Sequence, residues 1–301
     1  RGGDWSSDVC SSIFHSNSTL TTNSANAPSQ ITAIQWLTAY YPMGKTSTTS
    51  RLNIPGKLAW VLMELPAPLL LVYTMIGLRA TLPLPPRENL ILAGIYVCLP
   101  SSFPLTTNLP NPANPQKVTH YIYRALLAPL LNPSMSSIHP IIVLGAWVFN
   151  TLNAVSIGGH LAGLGPTLTT RLAIGLPIWA LGFAGTIAHD EILRRGRRAA
   201  SKPGAPAKAA DTHTVPDGYG GEKTYVLPSA GLFRWVLSPH YLCEWIEWAG
   251  FYIATGGALP ARNFVAAEVA TMLPRAIATR KWYVERFPGV KGRWAVLPGL
   301  V

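Results

Sequence analysis

Charged residues are scarce in this sequence and make up 12% of its 301 residues. In an ordinary soluble domain about a quarter of the residues are charged. Hydrophobic residues make up 49% of the chain, and 10 of its residues are Trp, so the composition predicts a membrane protein. The net charge of +11 would suit nucleic-acid binding. However, Lys and Arg cluster at the ends of apolar runs, as they do in cytosolic loops of membrane proteins, so we expect no nucleic-acid partner.

Cysteine is also scarce, and Cys10, Cys98 and Cys243 lie far apart with no CxxC pair. This spacing argues against both a disulfide framework and a zinc site. The histidines show neither HxxxH nor HExxH spacing, which argues against a metal-dependent hydroxylase or desaturase, so we expect no metal. No GxGxxG motif follows a predicted strand, and we therefore expect no Rossmann domain.

Apolar stretches separated by polar loops predict an all-α fold, a polytopic membrane bundle of about six to seven transmembrane helices. Between Lys57 and Arg79 the only charged residue is Glu64, and we expect Pro66 and Pro68 to kink this span. The predicted spans, some of them partial, are residues 31–41, 57–79, 89–99 with 120–131, 139–161, 172–189, 232–259 and 263–282.

One predicted span carries a polar stripe. Asn150, Asn153, Ser156 and His160 recur at helical spacing within residues 139–161. Such a stripe either lines a cavity or packs against a neighbouring helix. The sequence alone leaves both possibilities open.

Positive charge is concentrated on one predicted side of the membrane. Six Lys and Arg residues lie between positions 194 and 208 with no acidic residue among them. Counting alternate crossings places this basic loop on the same side as residues 42–57 and the C-terminus, and the excess of positive charge makes that side cytosolic. Residues 199–221 are rich in Ala, Pro, Gly and Lys, and we expect them to form a flexible part of the loop.

Two segments stand apart from the predicted membrane domain, which covers residues 31–301. Residues 1–30 are rich in Ser, Thr and Asn and are expected to form a disordered or non-native tail. Residues 100–119 insert a Pro-rich stretch between two half-spans, where its backbone polar groups would be unsatisfied in lipid. We interpret residues 100–119 as a non-native insertion, with a real extramembrane excursion as the alternative.

Two carboxylates lie in an otherwise apolar run near the C-terminal end of the chain. Glu244 and Glu247 fall one helical turn apart on one face, beside Trp245 and Trp248. Ionisable groups at membrane depth usually face a polar cavity or a partner, so the pair indicates a bound ligand. The alternative is an interfacial helix end, where both Trp and Glu are common.

Several short motifs together resemble the steroid 5-alpha-reductase family over roughly residues 35 to 301. Members of this family are NADPH-dependent membrane enzymes that reduce a carbon–carbon double bond conjugated to a carbonyl group. The motifs follow the family's order. They are Glu64-Leu-Pro66, His120-Tyr-Ile-Tyr-Arg124, His189-Asp-Glu-Ile-Leu-Arg194, Tyr225-x-x-Pro-x-x-Gly-Leu-Phe233, His240-Tyr-x-x-Glu-x-x-Glu-Trp248 and Lys281-Trp-Tyr283.

The resemblance implies a set of binding residues. It implies a substrate pocket that includes Arg124 and Glu247. At Thr186 this chain has a hydroxyl where the family commonly has an Asn amide, so that cofactor contact is in doubt. The positions that match the family's NADPH contacts are Asp190, Arg197, Tyr225, His240, Glu244, Arg275 and Tyr283.

Glu64 and Tyr121 are the candidate catalytic residues. Hydride addition to an enone places negative charge on the carbonyl oxygen, which a hydrogen-bond donor stabilises. A Tyr hydroxyl is a donor at neutral pH, and a carboxyl in apolar surroundings keeps its proton more readily and can donate as well. The resemblance places the substrate carbonyl at these two positions. The alternative for Glu64 is an ion pair with Arg124 or His120.

The sequence therefore predicts an NADPH-dependent enzyme of the endoplasmic reticulum membrane that reduces the 4,5 double bond of a 3-oxo-4-ene steroid or a similar lipid enone. One alternative is a trans-2-enoyl-CoA or polyprenol reductase of lipid metabolism, which would share the cofactor chemistry. Another is a non-catalytic lipid-binding membrane protein. The sequence leaves the exact substrate and the oligomeric state open.

Overall fold

The computed structural model describes residues 50–78, 81–82, 85, 87–97, 120–164, 169–200, 212–216 and 222–300, and these are mostly helical, as predicted. The predicted tail at 1–30, the stretch 31–41 and the segment 100–119 lie outside the described residues. The α-helices are α1 (Gly56–Glu64), α2 (Pro66–Leu78), α3 (Arg87–Val97), α4 (Ala128–Leu131), α5 (Pro140–Gly159), α6 (Thr169–Ala200), α7 (Pro239–Ala254) and α8 (Leu259–Arg286). Turns of π-helix occupy Ile122–Leu127 and His160–Leu164, and 3-10 turns occupy Gly231–Arg234 and Pro288–Val290.

Three helical stretches in the described part of the chain are long and apolar enough to cross a membrane, namely Gly56–Leu78, Pro140–Gly163 and Arg171–Ala200. Helix α7 has 16 residues, whereas a helix that crosses a hydrocarbon core needs about 20. Helix α8 has 28 residues but carries charged side chains along its length. The membrane character is thus supported, while the total of six to seven spans stays a prediction.

A short antiparallel sheet adds to the helical fold. Strand β1 (Thr212–Pro216) pairs with β2 (Glu222–Val226), with Thr212 opposite Val226. The prediction of a flexible loop over residues 199–221 therefore missed β1. Thr and Val favour extended backbone, but five residues beside a Pro- and Gly-rich stretch form too short a pattern to predict a strand. Strand β2 packs against α6 and carries Tyr225.

At the prolines expected to kink the span over residues 57–79, the structure has an interruption between α1 and α2. Helix α1 ends at Glu64 and α2 begins at Pro66, while Leu65 between them keeps helical dihedral angles of −62° and −33°. Proline has no amide hydrogen and cannot continue the helical bonding pattern. The chain therefore continues in nearly the same direction, with a break in its hydrogen bonds beside Glu64.

Helices α6 and α7 pack closely against each other, and both carry residues of the candidate site. A Cβ atom on Gly182 of α6 would lie 2.3 Å from the backbone nitrogen of Glu247 on α7. A Cβ atom on Gly250 would lie 2.3 Å from the nitrogen of Trp179. Small residues of this kind let helix backbones approach closely in membranes. The close approach brings the acidic face of α7 next to the end of α6 that carries Asp190.

The core beneath the site is aromatic. Tyr96 and Trp248 are almost completely buried, and their ring centroids lie 5.6 Å apart. Phe264 of α8 meets Trp248 edge-on at 4.5 Å. Buried aromatic pairs in such geometries each contribute about 0.5–1.5 kcal/mol beyond their burial. They hold α3, α7 and α8 together around the segment that begins at His120.

The C-terminal segment fixes the loop that leads into α7. Val236 and Trp294 form a parallel bridge, and the backbone nitrogen of Ser238 donates to the carbonyl oxygen of Ala295 at 2.9 Å. Arg293 donates to the carbonyl oxygens of Pro228 and Phe233 at 2.7 and 3.0 Å. These bonds set the position of the first turn of α7.

The packing of α6 on α7 leads to a first prediction. Gly182→Ala would place a methyl group against backbone atoms that cannot rotate away, so the helices must separate. Overpacking of this kind typically costs about 1–3 kcal/mol. We expect the apparent Tm of the detergent-solubilised protein to fall by several degrees. Gly145→Ala on α5 is the matched control, because a Cβ atom there has nothing within 4 Å, and equal Tm values for the two variants would contradict the packing.

Candidate active site

A buried histidine joins the segment before the π-helical turn to α7. His120 Nδ1 lies 2.7 Å from Glu247 Oε1, and its Nε2 lies 4.0 Å from Glu244 Oε1. At most 4% of each of the three side chains is exposed. The two carboxylates predicted to face a ligand or a partner therefore share one histidine. Because His120 precedes Tyr121, this contact also fixes the backbone that carries the candidate donor.

Arg124 is shared between two carboxylates. Its Nη2 lies 3.2 Å from Glu244 Oε2, and its Nε lies 3.8 Å from Glu64 Oε1. The guanidinium also lies over the Trp60 ring, 5.1 Å from the centroid, and the indole of Trp60 donates to the Arg124 carbonyl oxygen at 3.0 Å. The ion pair foreseen as the alternative role of Glu64 is thus present, and its role as a donor stays a prediction.

Acidic groups outnumber basic ones in this network. Glu64, Glu244 and Glu247 are matched by Arg124 and by His120, which carries charge only when it is protonated. Glu247 Oε2 is buried and has no hydrogen-bond partner among the described residues. Buried polar atoms are nearly always hydrogen-bonded. This oxygen is therefore a place where a proton or a donor from a ligand would fit.

A cavity of about 180 Å³ opens beside this network. Arg124, assigned by resemblance to the substrate pocket, forms part of the cavity wall. Trp60 and the polar side chains of Asn132, Ser134 and Ser136 line it as well. The wall also contains five of the residues that resemblance assigns to the cofactor, namely Asp190, Arg197, Tyr225, His240 and Arg275.

The charged residues of the wall are held by specific contacts. Tyr123 donates to Asp190 Oδ2 at 3.2 Å, and the Tyr123 oxygen in turn accepts a hydrogen bond from buried Arg194. Arg197 Nη1 donates to Asn132 Oδ1 at 3.3 Å. Three guanidinium groups in one concave wall, those of Arg124, Arg197 and Arg275, suit an anionic ligand, because Arg forms paired hydrogen bonds with phosphate or carboxylate oxygens.

Tyr225 lies outside the membrane-spanning helices, on β2. Burial raises the pKa of its hydroxyl, and the nearby charge of Arg197 opposes part of that rise. The hydroxyl therefore keeps its proton at neutral pH and retains the chemistry of a hydrogen-bond donor at the cavity wall.

The other predicted residues lie away from the cavity wall. Tyr121 is buried, and its oxygen accepts a hydrogen bond from the Tyr96 hydroxyl at 3.4 Å. The Thr186 hydroxyl, which stands where the family commonly has Asn, donates to the Gly182 carbonyl oxygen of its own helix at 3.1 Å. Tyr283 packs in a hydrophobic cluster beside the cavity, with Leu227, Leu237, Phe287 and Val290. Glu244 contacts Arg124, which is part of the wall.

Several residues of the site were missed by the sequence analysis. Tyr123 and Arg194 lie inside motifs that were quoted, so their position in those motifs was the available signal. Tyr96 lies in a predicted half-span where nothing distinguishes it from a core aromatic residue. Asn132 belongs to the short segment after α4 and became visible only through the fold. In the described residues no three His, Cys, Asp or Glu side chains are grouped so as to hold a metal ion.

Comparison with known proteins is consistent with these motifs. Residues 209–301 match the family profile described as 3-oxo-5-alpha-steroid 4-dehydrogenase. The uncharacterized protein C9.08c of Schizosaccharomyces pombe is 35% identical over 283 residues, covering 86% of this chain and 91% of that protein. Human 3-oxo-5-alpha-steroid 4-dehydrogenase 2 is 29% identical over 253 residues, covering 82% and 81% of the two chains. Steroid 5-alpha-reductase DET2 of Solanum lycopersicum is 28% identical over 277 residues, covering 88% and 89%.

Arg124, which pairs with both Glu64 and Glu244, leads to a prediction about stability. Arg124→Gln would leave Glu64 and Glu244 without their cation, and breaking a buried pair costs about 3–5 kcal/mol. For a domain of 150–250 residues each kcal/mol shifts Tm by about 2–4 °C, so we expect the apparent Tm to fall by about 10 °C. The double variant Arg124→Gln/Glu244→Gln should recover part of the loss, because it also removes one of the stranded charges.

The matched control is Arg195→Gln on α6. Arg195 pairs with Glu191 at 3.0 Å, but its side chain is 77% exposed, and exposed pairs contribute about 0–1 kcal/mol. Equal Tm values for Arg124→Gln and Arg195→Gln would show that the buried network does not support the fold.

Proposed function

The chain belongs to the steroid 5-alpha-reductase family, and we propose that it reduces the 4,5 double bond of a 3-oxo-4-ene steroid, or of a similar lipid enone, with NADPH. Its relatives include proteins named 3-oxo-5-alpha-steroid 4-dehydrogenase, which supports an oxidoreductase acting on CH–CH groups. One structural observation carries the proposal. Arg124 lines the cationic cavity and also lies 3.8 Å from Glu64, so a cofactor site and a carbonyl site would share a boundary.

The residues of the cavity suit NADPH. Its diphosphate and 2′-phosphate groups are anionic, and Arg124, Arg197 and Arg275 offer guanidinium groups in the same wall. The cavity volume of about 180 Å³ is smaller than the roughly 300–1,000 Å³ of most ligand pockets. We therefore assign only the phosphate-bearing part of the cofactor to it. When bound, NADPH would supply the hydride.

The hydroxyl group of Tyr121 is suited to the substrate carbonyl. Because Tyr96 donates to the Tyr121 oxygen, the proton of Tyr121 is left to donate to a ligand. Hydrogen bonds in such a chain polarise one another, which makes the terminal hydroxyl a stronger donor. Negative charge forms on the carbonyl oxygen during reduction, so this donor would stabilise the transition state more than the ground state.

Glu64 would act beside Tyr121 as a second donor when it carries a proton. Its carboxyl is 16% exposed and lies within a candidate membrane span, where the neutral acid is favoured over the anion. The Arg124 guanidinium favours the anion, so the two influences oppose each other at Glu64. Arrival of an anionic ligand at Arg124 would weaken its hold on Glu64 and favour the protonated donor.

We place the enzyme in the endoplasmic reticulum membrane as a multi-pass protein with its C-terminus in the cytosol. Arg197, in the Arg-rich end of α6, lines the cavity, and so does Tyr241, which packs in one cluster with Ala295 and Val296 of the C-terminal segment. Positively charged segments remain on the cytosolic side of a membrane, where NADPH is dissolved. A lipid substrate would reach the site from the membrane.

The cofactor preference tests the cationic cavity. We expect a higher kcat/KM with NADPH than with NADH. Arg197→Ala should reduce that preference by about 10-fold to 100-fold, since it removes a charge-assisted hydrogen bond worth roughly 1.5–3 kcal/mol. The exposed Arg195→Ala should keep the preference. Equal kinetic constants for the two cofactors in the wild-type enzyme would reject NADPH as the specific reductant.

The carbonyl donors are tested with an enone steroid and purified protein in detergent. Loss of an oxyanion donor typically lowers kcat about 100-fold to 1,000-fold, so we expect that loss for Tyr121→Phe with little change in cofactor affinity. Tyr96→Phe should have a smaller effect, because it removes only the support of Tyr121. Glu64→Gln keeps a donor and should retain partial activity, whereas Glu64→Ala should be nearly inactive.

Tyr73→Phe is the control for these variants, because Tyr73 is 75% exposed. Unchanged turnover in both Tyr121→Phe and Glu64→Ala would place the carbonyl elsewhere. If the protein binds NADPH but reduces only an enoyl-CoA or a polyprenol, the substrate assignment is wrong. If it binds neither nicotinamide cofactor, it is not an enzyme of this kind.

A further inference from the structure

The hydrogen-bond break between α1 and α2 lies directly beside Glu64. In an α-helix the amide of each residue bonds the carbonyl four residues earlier. Pro66 and Pro68 have no amide hydrogen, so within this helical run the carbonyls of Leu62 and Glu64 lose their donors. Unsatisfied backbone groups are costly in an apolar environment and require another partner.

Helix α5 provides donors at this break. The Trp147 indole nitrogen donates to the Leu62 carbonyl oxygen at 2.7 Å, and the Asn150 amide donates to the Met63 carbonyl oxygen at 2.5 Å. The two side chains are three residues apart and lie on the same face of α5. Trp147 thus replaces the bond that Pro66 removes. Asn150 binds the carbonyl of the residue that immediately precedes Glu64.

The neighbouring asparagine of the polar stripe behaves differently. Asn153 donates to the Phe149 carbonyl oxygen of its own helix at 2.9 Å, whereas Asn150 is 5% exposed and reaches across to α1. Of the two possibilities left open by the sequence, Asn150 therefore packs against a neighbouring helix.

Helix α1 is held from a second direction. Trp60 donates to the Arg124 carbonyl oxygen at 3.0 Å, and its ring lies under the Arg124 guanidinium. The last turn of α1 is thereby fixed between α5 on one side and Arg124 on the other. Glu64 is the last residue of α1, and its carboxyl faces Arg124.

We propose that Asn150, together with Trp147, is a positioning residue for Glu64: the two side chains bind the carbonyls at the proline break and orient the Glu64 carboxyl toward Arg124. The catalytic part of this inference rests on the proposed function, in which Glu64 assists reduction of the enone. Asn150 itself touches neither Glu64 nor a reacting group. Asn150 affects the rate of enone reduction indirectly, because it fixes the geometry of α1.

The first test compares Asn150→Leu with Asn153→Leu. Both substitutions place a side chain of similar size in α5, but only the first removes a bond to α1. We expect Asn150→Leu to lower kcat about 10-fold, the effect of one lost buried hydrogen bond, with the KM for the enone and the Kd for NADPH within about two-fold of wild type. Asn153→Leu should retain wild-type kcat.

The second test uses the proline itself. Ala at position 66 has the amide hydrogen that Pro66 lacks, so Pro66→Ala can bond the Leu62 carbonyl within the helix. Trp147→Phe should therefore lower the apparent Tm in the Pro66 protein and have little effect in the Pro66→Ala background. Equal Tm losses in both backgrounds would show that Trp147 does not replace the missing bond, and would overturn that part of the inference.

A third measurement does not depend on turnover. If Asn150 orients Glu64 toward Arg124, Glu64→Gln should change the apparent Tm less in the Asn150→Leu background than in wild type. Equal Tm changes in the two backgrounds, or a wild-type kcat in Asn150→Leu, would overturn the inference. If wild-type protein reduces no enone, the proposed function fails, and this Tm comparison still decides whether Asn150 positions Glu64.

Discussion

One guanidinium, that of Arg124, balances carboxylates contributed by helices far apart in the sequence. Glu64 comes from α1 and Glu244 from α7, and both are shielded from solvent. A buried carboxylate without a partner is strongly destabilising. The two helices therefore pack stably only where both acids reach Arg124. Because Arg124 also lines the cavity, the same side chain stabilises the packing of α1 and α7 and supplies part of the positive charge available to a ligand.

The other two guanidinium groups of the cavity wall each contact a neutral side chain. Arg197 donates to the amide oxygen of Asn132, and Arg275 lies 5.9 Å from the centre of the Tyr241 ring. Such contacts help to orient a guanidinium. Arg124 is paired directly with two acids. An anion that entered the cavity would compete with Glu64 and Glu244 for Arg124. Under the proposed function, ligand binding and the state of Glu64 would therefore be coupled.

The sequence predicted part of this arrangement. The features that it did not predict were missed for physical reasons. The predicted span ended at residue 189, before Asp190 and Arg197; in the structure α6 continues to Ala200, and the two residues lie two helical turns apart on one face. Glu244 and Glu247 followed from the same periodicity on α7. No periodicity relates Arg124 to Arg275, and the resemblance assigned them to the substrate pocket and to the cofactor respectively; the structure places both in one cavity wall. Tyr96 and Asn132 were missed because their roles arise from contacts between distant segments. The hairpin of β1 and β2 was missed because its strands are short.

The interruption between α1 and α2 departs from the rule that helix interiors avoid proline. A proline in a helix interior costs about 3 kcal/mol or more, and this chain has prolines two and four residues after Glu64. Trp147 offsets part of that cost by bonding the Leu62 carbonyl, and Asn150 bonds the neighbouring carbonyl of Met63. An unbroken helix would need no such donor at Leu62. The interruption breaks the regular hydrogen bonding of the helix. The side chains of α5 that bond to the carbonyls there fix the register between α1 and α5. Departures of this kind that are compensated from elsewhere in the fold are characteristic of functional positions, and here the departure lies beside the carboxyl that faces Arg124.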